Sequence, residues 1–114
     1  PSPADDYVET TLDLNKALVD NEPSTFFVRV SGDSMKEIGI HDGDIIVVDR
    51  SVEPEDGSVV VAALDGELTV KRYRMRGGQP LLMPENASCD PIPIEEGQSL
   101  VVWGVVTRAI REIS

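Results

Sequence analysis

The chain has 114 residues, 40% of them hydrophobic, which suits one compact domain around one core. A net charge of −11 repels a phosphate backbone, so no direct sequence-specific DNA binding is expected and any link to DNA should run through a partner. A single cysteine, Cys89, and a single histidine, His41, exclude an internal disulfide and starve a structural zinc site of ligands, so no metal or cofactor is expected.

Residues 1 to 11, PSPADDYVETT, carry two prolines, an acidic pair and no apolar periodicity, and read as an extended N-terminal arm. The next stretch, LDLNKALVDNEP, has leucines at 12, 14 and 18, Asp13 as a cap and Pro23 as a stop, which predicts one short helix. From there β-branched runs bounded by Gly, Pro or Asp predict strands over 25–31, 44–50, 58–64 and 67–75, followed by apolar runs at 80–84 and 99–113. Asp65-Gly66 between two such runs is a strong hairpin signal, so residues 58–75 should form an antiparallel pair. MRGGQP at 75–80 reads as a loop. The pattern predicts a mainly-β sheet assembly or partly closed barrel with a peripheral helix, divided into an arm-and-helix segment, 1–24, and a β domain, 25–114. No apolar run approaches the roughly 20 residues that span a bilayer, and no secretory signal opens the chain, so no membrane association is expected.

The stretch VSGDSM at 30–35 raises the question of whether Ser34 is a turn residue or a nucleophile. A serine hydroxyl needs a base, in enzymes a histidine or, in a smaller group, a lysine. His41 lies seven residues on in a Gly/Asp-rich turn, a poor place for a supported base. Arginine does not deprotonate at neutral pH, which leaves Lys16, Lys36 and Lys71. Lys16 falls on the helix and Lys36 in a polar turn, where water keeps each charged. Lys71 falls within LTVKRY, on the long arm of the hairpin, where burial disfavours the ammonium and yields an amine able to accept a proton. Strand alternation puts Thr69 on the face of Lys71, with a hydroxyl able to orient the amine. The backbone N–H groups of Ser34 and a neighbour in SGDS are candidates to receive an oxyanion. Taken singly, Ser34 reads as a turn residue and Lys71 as an edge charge. Cys89, in ENASCDP, reads as a small loop residue, and Trp103 with its apolar neighbours as core or subunit interface.

In order and spacing, SGDSM, GIHDGDIIVVD, GELTVKRY and LLMPEN resemble the Ser-Lys self-cleaving domain shared by LexA-type and phage repressors and UmuD proteins, with Ser34 and Lys71 37 residues apart. PSPADDYVE followed by DLNKAL is similar to the segment after the cleavage site of UmuD proteins, so the resemblance covers nearly the whole chain. It implies a LexA/signal-peptidase-like β fold, with Ser34 as nucleophile, Lys71 as general base and Thr69 supporting Lys71. It also implies that the substrate is the protein's own arm, cut at a Cys-Gly or Ala-Gly bond. Neither dipeptide occurs here, and the chain opens at Pro1 rather than methionine, so it is expected to correspond to the processed product or an equivalent truncation.

For UmuD-like proteins the resemblance further implies cleavage stimulated by the RecA nucleoprotein filament. A homodimer then joins a UmuC-like Y-family polymerase subunit for translesion synthesis in the bacterial cytoplasm. Three other readings stand beside it. The C-terminal domain of a LexA-like repressor would look similar once cut from its headpiece. A signal-peptidase-like enzyme would normally carry a membrane anchor and commonly a proline soon after the SM pair, absent from SMKEIG. A pure interaction module would keep Ser34 and Lys71 only as relics.

Overall fold

The computed structural model describes residues 8–114. The first part of the expected arm, residues 1 to 7, lies outside them, and residues 8–13 form no regular element. Asp13 caps the helix as expected, accepting from the Asn15 N–H at 3.0 Å, but α1 spans only Leu14–Leu18. Val19 is already extended, so the helix ends before Pro23, which opens a short 3-10 turn over Glu22–Ser24 instead. The reason is packing: Leu12 and Leu14 remain exposed, and a single turn without a docked apolar face cannot propagate.

Seven strands follow: β1 (Thr25–Arg29), β2 (Ile45–Asp49), β3 (Val59–Leu64), β4 (Glu67–Arg76), β5 (Gln79–Met83), β6 (Ile92–Pro93) and β7 (Leu100–Ile110). They make one antiparallel sheet in the order β1-β2-β7-β3-β4-β5-β6. The expected mainly-β assembly with a peripheral helix is borne out, as an open sheet whose edges are β1 and β6. Pro93 on the short edge strand gives up no ladder bond that a neighbour requires.

The Asp65-Gly66 hairpin forms as read. Both residues have positive φ, 49° and 85°, as a two-residue turn that follows the sheet twist demands, and Leu64 pairs with Glu67. That register sets Thr69 opposite Ala62 and Lys71 opposite Val60. The stretch 75–80, expected to be a loop, is a second tight hairpin: Arg76 pairs with Gln79 across Gly77 and Gly78, both at positive φ, so strand continues to the turn on both sides.

Alternation along β3 divides the core between the two faces of the sheet. Val61 joins Val30, Met35, Ile40, Ile46 and Val48 on one, while Val60 and Ala62 join Leu82 on the other. Each fully buried Val, Ile or Leu contributes about 1.5–3 kcal/mol relative to exposure. β7 passes close over β2 at Gly104, where a Cβ would lie 2.8 Å from Val48 Cγ1 and 2.9 Å from the Asp49 carbonyl oxygen, so no side chain fits. Beside it the β7 register skips Trp103, between Gly104 opposite Val61 and Val102 opposite Ala62. Trp103 is consequently not core: it is 42% exposed and meets Phe26 edge-on at 6.1 Å between ring centroids.

Candidate functional site

The loop between β1 and β2 carries Ser34. It leaves and rejoins the sheet at one point, where the Val30 N–H donates to the Asp44 carbonyl and the Gly43 N–H to the Val30 carbonyl, both at 2.8 Å. Within the loop the Gly32 N–H donates to Asp42 Oδ1 at 2.8 Å and the Asp42 N–H to Asp33 Oδ1 at 3.2 Å, so its two limbs are laced together. Met35 and Ile40 are driven into the core, and Ser34 stands immediately before the Met35 plug with its side chain half-buried. The glycine at 32 is needed because φ there is +92°.

From β4, Lys71 reaches this turn. Its Nζ donates to Ser34 Oγ at 2.9 Å, to Thr69 Oγ1 at 2.7 Å and to the Val70 carbonyl at 3.1 Å. No carboxylate pairs with it among the described residues. Burial pushes the Lys71 amine below the usual lysine range, and the Coulombic influence of the neighbouring Cys89 opposes this in part. Ser34, Thr69 and Lys71 line a cleft of about 260 Å³ whose apolar walls include Val28, Val30, Ile46, Val61 and Leu68.

The structure therefore brings together the three side chains singled out from sequence. His41 is not among them: it lines a separate depression with Asp42, Asp44 and Arg111, and its backbone N–H donates to Asp44 Oδ2. Lys16 and Lys36 make no side-chain hydrogen bond to Ser34 among the described residues. The Ser34 N–H likewise has no acceptor within the described residues. Three features escaped the sequence reading. The Val70 carbonyl as a third partner of Lys71 is a backbone group with no side-chain signal. Cys89, read as a bland loop residue, lies near enough to act on Lys71. Glu85 and Asn86, in LLMPEN, hold the serine turn from outside: the Glu85 N–H donates to the Ser34 carbonyl at 2.8 Å and Asn86 Nδ2 to the Asp33 carbonyl at 2.9 Å.

A model of the family described as Peptidase S24-like matches residues 1–107. The chain is similar to Protein SamA of Salmonella typhimurium, 46% identical over 112 residues that cover 98% of this chain and 77% of SamA. It is 44% identical over 113 residues to Protein MucA of Escherichia coli, covering 98% of this chain and 77% of MucA. It is also 40% identical over 112 residues to the LexA repressor of Thiobacillus denitrificans, covering 97% of this chain but 56% of the repressor. The resemblance to UmuD-like proteins is borne out by these relatives. Among the described residues no helix is long and apolar enough to cross a membrane.

Two carboxylates, Asp44 and Asp49, are buried outside the lining of the cleft. Asp44, at the foot of the serine loop, is held below its usual range by the Arg111 guanidinium, with Nε at 3.1 Å from Oδ1, and by the His41 N–H. Asp49 is lowered by the Ser51 hydroxyl at 2.6 Å, the Asn21 amide at 2.9 Å and the Ser51 N–H. Because the folded values lie below the ordinary 3.8, the unfolded chain binds more protons in acid. The stability these groups supply is present above about pH 4 and lost as pH falls through their folded values. Urea midpoints are expected to be level from pH 7 to 5 and to drop below pH 4, less steeply in Arg111→Met and Ser51→Ala; equal acid slopes in all three proteins would contradict this.

Proposed function

The chain belongs to the Peptidase S24-like family, and from that premise we propose that Ser34 and Lys71 are a catalytic dyad for self-cleavage of an N-terminal arm. The observation that carries this reading is the 2.9 Å contact between Lys71 Nζ and Ser34 Oγ in a half-buried cleft. A neutral amine has two N–H bonds and one lone pair. The Val70 carbonyl and Thr69 Oγ1 accept the two hydrogens, which leaves the lone pair aimed at the Ser34 hydroxyl. As Ser34 Oγ attacks the scissile carbonyl carbon, its proton passes to Lys71, and the N–H of Ser34 with an adjacent N–H of the turn stabilises the oxyanion. Lys71 then protonates the leaving amine as the C–N bond breaks, and water, deprotonated by the same amine, hydrolyses the acyl-serine.

The substrate in this reading is an arm cut upstream of this segment at a Cys-Gly or Ala-Gly bond, with residues 1–24 as its downstream remainder and 25–114 as the peptidase domain. Similarity to SamA and MucA supports a role in SOS mutagenesis. Within it the RecA nucleoprotein filament stimulates the cut, and the processed homodimer serves a UmuC-like Y-family translesion polymerase as an accessory subunit. The charge of −11 supports action on DNA through such partners. A second reading, the self-cleavage and dimerisation domain of a LexA-like repressor, is supported by the LexA match, which spans only 56% of that protein.

In protein carrying its upstream arm, Ser34→Ala and Lys71→Ala are expected to lower the first-order cleavage rate by about 100- to 10,000-fold, the double variant no further than either single one. Thr69→Val is expected to cost about tenfold, since one bond that aims the amine is lost. The rate is expected to climb with pH through a midpoint below the ordinary lysine value of 10.5, because only the neutral amine accepts the serine proton. Wild-type cleavage by Ser34→Ala would end this account. RecA filaments are expected to accelerate the wild type, and sedimentation equilibrium of the processed chain at micromolar concentration should read a dimer; a mass near the 12.4 kDa monomer would count against the homodimer.

A further inference from the structure

Ser34 and Lys71 sit on different parts of the chain, and no ladder bond joins the serine loop to β4. Besides the Lys71–Ser34 contact itself, the segment 85–87 joins them: Asn86 Nδ2 donates to the Asp33 carbonyl and the Ala87 N–H to Glu37 Oε2, and Glu85 alone carries the link on to β4. β5 makes its last pairing through Met83, opposite Arg72, and Pro84 has no N–H with which to extend the ladder. Past that point the chain is held by a side chain: Arg72 Nε donates to Glu85 Oε1, while Arg72 Nη1 donates to the Gly57 carbonyl at 2.6 Å. Glu85 in turn clasps the serine turn by its backbone on both sides, donating to the Ser34 carbonyl at 2.8 Å and accepting from the Glu37 N–H at 2.9 Å. Arg72 is the residue next to Lys71. The chain of contacts from base strand to nucleophile turn is therefore Arg72 side chain, Glu85 side chain, Glu85 backbone, Ser34 backbone. Both side chains of the ion pair are largely enclosed, 21% and 28% exposed, so the contact is fixed rather than a solvated surface pair.

We propose that Glu85, gripped by Arg72, is a positioning residue that holds the serine turn against β4 and thereby sets the Ser34–Lys71 distance and the dryness of the cleft around the amine. The inference rests on the dyad reading above for its catalytic consequence, but its structural claim is separable from it. Loss of the clasp frees the loop end, admits water to Nζ, and returns the Lys71 amine toward its ordinary value, because hydration favours the ammonium. A defect in folding alone lowers the active fraction equally at every pH and leaves the midpoint where it was.

The test begins with the 114-residue chain. A ¹³C NMR titration of the lysine Cε signals follows Lys71, with Lys16 and Lys36 as internal references. Glu85→Ala is expected to raise the Lys71 midpoint by about half a pH unit or more, and Glu85→Gln, whose carbonyl still accepts from Arg72, to leave it near wild type. Arg72→Met, which opens the same contact from the other side, serves if Glu85→Ala does not fold; because loss of its own positive charge also raises the midpoint, only a shift larger than that of Arg74→Met, which removes a neighbouring charge without touching Glu85, counts for the proposal. An unmoved midpoint in the folded variants, or a Glu85→Gln shift as large as that of Glu85→Ala, overturns the proposal.

In the arm-bearing protein the same Glu85→Ala is expected to cut the cleavage rate about tenfold on the plateau and to carry its pH midpoint upward, with Glu85→Gln restoring both. Wild-type cleavage by Ser34→Ala in that experiment would refute the dyad while leaving the titration to decide the role of Glu85. Conversely, loss of cleavage in Ser34→Ala together with wild-type behaviour in Glu85→Ala would refute the positioning role alone.

Discussion

A half-buried lysine amine with no carboxylate partner among the described residues is the contact on which the site depends. Removing an ammonium from solvent is costly, and proteins relieve the cost by pairing it or by lowering its pKa until it is neutral. Lys71 has hydroxyl and carbonyl partners only, and its amine is lowered by burial. The same surroundings that disfavour its charge supply the geometry of a base. A carboxylate placed beside it would restore the charge and remove the lone pair.

The fold can be understood as the means of keeping that amine in place. The Asp65-Gly66 turn fixes the β3–β4 register, and with it the position of Lys71 opposite Val60. The serine turn is fixed independently, by the Met35 and Ile40 plugs, by the lacing between Gly32, Asp33 and Asp42, and by the buried Asp44 that Arg111 holds. Arg111 follows β7, so the last strand of the sheet braces the loop that bears the serine; it also donates to the Gly39 carbonyl at 2.7 Å. Two rigid frames thus meet across one cleft, and the gap between them is bridged by the Arg72–Glu85 contact.

How much of this could be read in advance follows the range of the interactions. Local signals were legible: the strand runs, the Asp65-Gly66 hairpin and the Asp13 cap are each written in a few neighbouring residues. The Gly77-Gly78 turn was written there too, in the glycine pair and the alternation Arg72-Tyr73-Arg74-Met75-Arg76 that leads into it, but the stretch was read as a loop because the short partner run beyond it, 80–84, is interrupted by prolines at both ends. The short β6 carries almost no signal of its own and exists because Leu81 and Leu82 offer it an edge. The helix was overread because Leu12 and Leu14 look like an apolar face but find no core to dock on. At the site, Lys71 stood out by elimination and by its apolar run, and Thr69 by alternation. Its meeting with Ser34 across 37 residues came from the family resemblance and could not come from periodicity. Val70's carbonyl, Cys89 and Glu85 act through backbone position or tertiary approach, which residue type does not encode.

The most direct test of an activated Ser34 needs no arm and no partner. The chain is treated with a fluorophosphonate reagent across pH, and the modified serine is located and timed by mass spectrometry. The account expects one adduct, on Ser34, formed at a rate that rises as the Lys71 amine loses its proton and that vanishes in Lys71→Met. Labelling of Ser34 no faster than the exposed serines, or undiminished in Lys71→Met, would show that the amine does not activate the hydroxyl and would contradict the central claim.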